Sequence, residues 1–403
     1  MGVEYEILMR LMSKLFLNTA TILLSFQISS FLLPWLIVLW LSYNAQMEDV
    51  GQFGFILAIL SPICLLLASP SRNYLLSSEG INFKDVVNFR KILALFGLVV
   101  AVFIGYLIES LMFVTVIYMA KISELFFDLD IVTNIKNRNN KSLLKTSLLK
   151  WTCILVVFVF SFFITELWLL LLVTALLFLL ASIGKQVFEK IYVKEFTTLL
   201  KASLPLSISA LVFSVYFNIP RYVLGEANAD TLLAVFTISS FLIMGGLVVV
   251  NTIMQSRLHF MTCQFQKKNF PHLFQNVVFT IIVVLLVYLA IQVLRVDYLS
   301  SLFWQAHNNL NEGLPIYDIA YQGVLSMSWG PLLFSYGNYY LIMIGKHKTL
   351  LYLALINSII TYPSSMYAYD VGGFDALLWS FNISGLLQFL LIAFLVYKQK
   401  VAR

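Results

Sequence analysis

Eleven stretches of this chain contain no Asp, Glu, Lys or Arg: 15–47, 50–71, 92–108, 151–165, 167–184, 202–220, 231–256, 269–294, 319–345, 349–369 and 376–397. A helix that crosses the hydrocarbon core of a bilayer needs roughly 20 mainly apolar residues, within about 17–25. In such a medium a single helix satisfies its own backbone hydrogen bonds, so each stretch predicts a transmembrane helix. Composition agrees: 60% of the 403 residues are hydrophobic and 11% are charged, against about 25% charged in soluble domains, and mean hydropathy is +0.89. The first stretch is far longer than the roughly 7–15 residues of a signal-peptide core, so it reads as a span. The short stretch 151–165 gains length if Lys150 snorkels to the interface.

A twelfth span is predicted at 111–130 (LMFVTVIYMAKISELFFDLD), although it carries Lys121, Glu124 and Asp128. The distribution of basic residues requires it. Cytoplasmic loops are enriched in Lys and Arg. With twelve spans and both termini cytoplasmic, 23 of the 26 basic residues fall on the inner side, only Arg221 and Arg295 fall outside, and Lys121 falls within the membrane. Without a span at 111–130, the lysine-rich segments 136–150 and 185–201 would lie outside. The segments 134–150 and 185–201 are amphipathic and are expected to lie along the cytoplasmic surface, drawn to anionic lipid.

The expected fold is therefore an all-α polytopic membrane protein with about twelve transmembrane helices. Residues 185–201 divide it into two six-helix bundles, 1–200 and 201–403, around a central cavity. The halves share a weak echo: EDVGQFGFILAIL followed by Arg72, and ADTLLAVFTISSF followed by Arg257. Repeated halves with substrate bound at their interface are common in transporters. The outer loops are too short to form a domain.

Several function classes are excluded or disfavoured. The net charge of +6 is spread over separate loops, which disfavours nucleic acid as a partner. Cys64, Cys153 and Cys263 show no disulfide framework. His259 and Cys263 would share a helical face, but two ligands do not make a metal site. No phosphate-binding GxxxxGK[ST] loop, catalytic constellation or ion-selectivity filter appears. No cofactor is expected, and the chain does not read as an enzyme.

The sharpest candidate site is Lys121, Glu124 and Asp128. At 100° per residue all three share one helical face. An ionisable group at the bilayer centre costs at least roughly 2.5–3.5 kcal/mol unless it is paired or solvated. That face must therefore meet protein or a wet cavity. Two readings stand: Lys121 attracts an anionic group while a carboxylate balances it or takes up a proton, or a Lys–Glu pair only locks helices together. Arg221, at the end of span seven in FNIPRYVLG, reads equally as a donor to a phosphate or sugar acid and as an interfacial anchor beside Tyr222. Arg72 and Arg257 read first as positive-inside anchors and second as phosphate contacts at a cavity mouth. Polar residues such as Asn218, Asn251, Asn338, Asn382 and Gln388 either line a hydrophilic cavity or bond between helices.

Three segments, EDVGQFGFILAILSPICLLLASPSRNYLLS (48–78), KASLPLSISALVFSVYFNIPRYVLGEANADTLLAVFTISSF (201–241) and YGNYYLIMIGKHKTLLYLALINSII (336–360), resemble the polysaccharide export and O-antigen flippase family. That family belongs to the multidrug/oligosaccharidyl-lipid/polysaccharide exporter superfamily. The resemblance implies translocation of a polyprenyl-diphosphate-linked oligosaccharide, an O-antigen or capsule repeat unit, across the bacterial cytoplasmic membrane by alternating access. It implies a cationic central cavity, with Lys121, Glu124, Asp128, Arg221, Arg72 and Arg257 as substrate-binding residues. Its partners would be the lipid-linked oligosaccharide, membrane lipid and other polysaccharide-assembly proteins, in lipopolysaccharide biosynthesis. The rival readings are a multi-span polysaccharide polymerase or ligase, and a small-molecule antiporter of the same fold.

Overall fold

A computed structural model describes residues 19–44, 47–77, 83–136, 139–183, 193–268, 270–293 and 314–401. The side chains of Arg72, Asp128, Gln255, His259 and Cys263, each within a helix, lie outside the described residues, as does Arg295. Among the described residues the structure is helical: α1 (Thr19–Asn44), α2 (Met47–Ser77), α3 (Phe83–Leu107), α4 (Leu111–Lys136), α5 (Asn140–Phe160), α6 (Leu167–Ile183), α7 (Val193–Glu226), α8 (Asp230–Gln266), α9 (Phe270–Val293), α10 (Leu314–Ser326), α11 (Trp329–Met343) and α12 (His347–Val401). Eight of them are long and apolar enough to cross a membrane. Helices α1 to α9 correspond to the first nine expected spans, and the remaining three supply the rest.

The tenth span is broken. Pro331 stands in the first turn of α11; it lacks an N–H, and its ring excludes the carbonyl four residues earlier, that of Met327. The carbonyls released at the end of α10 find partners. Leu325 O accepts from Ser328 N (3.2 Å) and from Gln292 Nε2 (2.8 Å), and Ser326 O accepts from the Tyr288 hydroxyl (3.4 Å). The eleventh and twelfth spans form one continuous run, bent at Gly373 (φ 68°, ψ −154°), a conformation only glycine adopts without strain.

Short connections keep neighbouring helices antiparallel. Three of them use the same C-terminal cap, with one residue in the left-handed region: Glu109 (φ 55°), Asn228 (φ 52°) and Gly345 (φ 74°). At each, the next N–H reaches back to a carbonyl five residues earlier: Ser110 to Gly105 (2.9 Å), Ala229 to Leu224 (3.0 Å) and Lys346 to Leu341 (2.9 Å). This is the Schellman pattern, which satisfies the otherwise orphaned carbonyls of a helix end.

Two compact units emerge, Met1–Leu33 with Ile59–Leu211, and Pro34–Ala58 with Val212–Arg403. The sequence places the division at 200/201, whereas in the structure residues 34–58 of α1 and α2 cluster with the C-terminal helices. In the first unit α4 packs chiefly along α3 and α6. Tyr118 of α4 donates to Ala94 O of α3 (2.7 Å), and Arg90 of α3, fully buried, donates to Leu125 O of α4. In the second unit α8, α11 and α12 form the centre. Tyr216 of α7 stacks on Phe334 of α11 (centroids 4.0 Å, planes 8° apart) and its hydroxyl meets Ser384 of α12 (3.1 Å). Helices α11 and α12 touch backbone to side chain where Gly330 N donates to Asn382 Oδ1 (2.8 Å). The two echoed segments also meet in this unit: a Cβ on Gly51 would stand 2.5 Å from the Asp230 carbonyl oxygen.

Two expectations about the inner segments change. Residues 140–150 are not a helix lying on the surface; they are the start of α5, capped by Asn139, whose side chain accepts from Ser142 N (3.1 Å). Residues 193–201 likewise continue without a break into the seventh span as α7.

Candidate functional site

The first unit holds a buried charged cluster. Helix α4 sets Lys121 and Glu124 one turn apart, with Lys121 Nζ 3.7 Å from Glu124 Oε2. The expected pair is thus present, but it is the looser of two. Glu124 Oε1 accepts from Lys150 Nζ of α5 at 2.9 Å. Lys150 also donates to Ser30 Oγ of α1, and its ammonium lies 4.1 Å from the Phe26 ring centre.

This corrects the assignment of Lys150 to the interface. Because α5 begins at Asn140, Lys150 lies ten residues, about 15 Å, into the helix, and its side chain is fully buried. The carboxylate opposite makes that burial tolerable, since a buried ammonium needs both a partner charge and hydrogen bonds. Glu124 is therefore held by Lys150, whereas Lys121 stands beyond hydrogen-bonding distance of it with 26% of its side chain exposed. Among the described side chains the cluster carries two cations and one carboxylate. Asp128, one turn further along α4, lies outside the described residues.

The second unit holds an unmatched cation. Helix α7 runs past Arg221 to Glu226, and Arg221 is buried, 9% exposed. Its Nη1 donates to Asn218 Oδ1 (2.6 Å) and its Nη2 to Ser240 Oγ of α8 (2.7 Å). The guanidinium carbon lies 6.0 Å and 5.7 Å from the ring centres of Phe236 and Phe241. Nε is buried without a partner. Among the described residues no carboxylate lies within 4 Å of Arg221. The residue faces a cleft of about 480 Å³ of empty space, mouth included, walled by Phe217, Phe236, Phe381, Met327, Pro331 and Asn382 among others. The break between α10 and α11 thus opens onto the buried arginine.

Arg257 also lies within its helix, nine residues before the end of α8. Its guanidinium carbon stands 4.2 Å from the Phe279 ring centre, and Nη1 donates to Asn276 Oδ1 of α9 (2.9 Å). Arg72 falls within α2, its side chain outside the described residues. Asn251, Asn338 and Gln388 bond between helices: Ser335 Oγ to Asn251 (2.7 Å), and Gln388 to Asn338 (3.1 Å). Lys150, Ser30 and Ser240 were absent from the expected site. For Lys150 one signal was available, since the Asn-Asn-Lys-Ser start at 139–142 marks a helix cap well before the lysine. Among the described residues no group of three His, Cys, Asp or Glu could hold a metal ion.

No protein-family model and no curated protein sequence matches the chain. Solved structures do. An inward-facing multidrug resistance MATE family transporter of the MOP superfamily matches with a TM-score of 0.66 at 14% identity, covering 94% of this chain and 99% of the other. The MATE multidrug transporter DinF-BH, solved as a complex, matches with 0.65 at 16% identity, covering 94% and 95%. A MOP superfamily transporter from Pyrococcus furiosus, described as having a binding pocket of reverse polarity that suggests a different function, matches with 0.60 at 12% identity, covering 96% and 98%. At such identities the likeness is one of fold: the chain is an all-α multi-pass membrane protein with the architecture found in MOP superfamily transporters.

Proposed function

We propose that the chain is a flippase that moves a polyprenyl-diphosphate-linked oligosaccharide across the bacterial cytoplasmic membrane by alternating access, with both termini cytoplasmic. The fold is one that transporters use. The observation that carries the reading is the charge of the buried cluster: Lys150 holds Glu124 at 2.9 Å, so Lys121, at 3.7 Å and partly exposed, keeps its donors for an anion. A diphosphate supplies that anion, and the polyprenyl tail stays in lipid. Asp128, Arg72 and Arg257 are further contacts in this reading. Glu124 keeps Lys121 in place, and Asp128 is available for proton coupling.

The test uses a strain that needs the gene for surface polysaccharide. Lys121→Ala is expected to lower surface glycan severalfold and to leave single repeat units on the inner leaflet, with Lys121→Arg retaining part of the function. Normal glycan in Lys121→Ala, at normal protein level, overturns the site. Repeat units collecting on the outer leaflet in a deletion strain would instead favour the polymerase reading. The multidrug transporters among the structural neighbours make a small-molecule antiporter the second reading; drug sensitivity of a deletion strain with normal glycan selects it.

A further inference from the structure

The donors around the Arg221 cleft select what it can hold. A guanidinium stays protonated and has five N–H donors in a fixed fork. Asn218 and Ser240 take one each from the two terminal nitrogens, and Nε–H is left buried without a partner. The neighbouring polar groups each already give one donor elsewhere. Asn218 Nδ2 donates to Ser214 O (2.8 Å), the Ser240 hydroxyl to Thr237 O (2.9 Å) and Asn382 Nδ2 to Leu378 O (2.8 Å). Asn382 Oδ1 is occupied by Gly330 N. The other walls are apolar and aromatic, including Phe217, Phe236 and Phe381.

Such a cleft offers a single positive charge, with three guanidinium N–H groups left, among mainly apolar walls. A phosphate brings more than one negative charge and several strongly hydrated oxygens, which one cation and its few donors match poorly once the ion is stripped of water. A weakly hydrated monovalent anion matches the single charge and sheds its water at lower cost.

We propose that the Arg221 cleft is a binding site for a weakly hydrated monovalent anion of the halide class, which neutralises the buried arginine. This differs from the phosphate or sugar acid expected at Arg221 from sequence, and it holds whatever substrate the chain carries. The anion takes the place of a carboxylate that none of the described residues supplies there, and the site is built by α7, α8 and the break between α10 and α11.

The experiment is thermal unfolding of the purified full chain in detergent, with sodium chloride, bromide, iodide or phosphate exchanged against gluconate at constant ionic strength. General salt effects are removed by subtracting Arg221→Gln. The expected difference is a saturable rise in Tm in the order iodide, bromide, chloride, absent with phosphate. At a hundredfold excess over Kd the folded-to-unfolded ratio rises about a hundredfold. An equal rise with phosphate, or a bromide effect that persists in Arg221→Gln, overturns the proposal. If Arg221→Gln does not fold, anomalous diffraction from bromide-soaked crystals of the unaltered chain decides. A bromide peak beside Arg221 Nε supports the site, and an empty cleft or one filled by an organic molecule refutes it.

Discussion

Replacing Lys150 by methionine keeps the length and apolar bulk of the side chain and removes its charge. Glu124 would then keep only Lys121, 3.7 Å away and partly exposed, in place of a direct bond at 2.9 Å. Removing one partner of a buried ion pair typically costs about 3–5 kcal/mol, because the remaining charge stays buried. Lys121 offsets part of that, so about 3 kcal/mol is expected for Lys150→Met. For a unit of this size that corresponds to a fall in Tm of roughly 6–12 °C. The double variant Lys150→Met, Glu124→Leu removes both charges. Replacing a buried pair by apolar groups is often neutral or stabilising, so the double variant is expected to return to within about 1 kcal/mol of the parent. The coupling energy from the four-protein cycle is then at least about 2 kcal/mol. Unfolding in mixed micelles, followed by near-ultraviolet circular dichroism, measures all four proteins. If Lys150→Met is as stable as the parent, or if the double variant is no better than the single, Lys150 does not hold Glu124 and Lys121 loses its distinct standing.

Three further outcomes test the helix contacts. Gly385→Val places a Cβ 2.7 Å from the Gly330 carbonyl oxygen, and overpacking of that kind is expected to cost about 1–3 kcal/mol; Gly323→Ala, whose nearest neighbour is 3.6 Å away, should be neutral or slightly stabilising in the same unfolding assay. Pro331→Ala supplies the N–H that a helix continuing through Met327 and Ser328 would need, and it costs α11 little, since the first turn leaves that N–H without a helical partner. The variant is expected to be at least as stable by thermal unfolding and to support severalfold less surface glycan, and full glycan would show that the break between α10 and α11 does not serve transport.

The spans were legible because transfer into a bilayer is paid residue by residue, so a run of twenty uncharged residues declares itself without knowledge of its neighbours. Hydropathy does not mark where the helices end: Arg221 and Arg257 are each the first charge after an apolar run, yet α7 and α8 run on past both residues. What lets them do so is pairwise: Ser240 lies 19 residues from Arg221, and Asn276 lies 19 from Arg257. For Lys150 the partners are still more remote, with Glu124 26 residues away and Ser30 120 away. Hydropathy carries no such information. The break at Met327–Ser328 was visible only as one proline in a 27-residue uncharged run, a position at which a kinked but continuous helix is equally compatible with the sequence.

The buried cations also change how the orientation of the chain follows from its charges. A basic residue informs orientation only when it lies in a loop or at a helix end. Arg90 and Lys150, inner residues by the sequence pattern, are buried against other helices, and Arg221, an outer one, is buried as well, so none of the three informs orientation. The cations that hydropathy places ambiguously are those that protein partners, rather than lipid headgroups, hold in place.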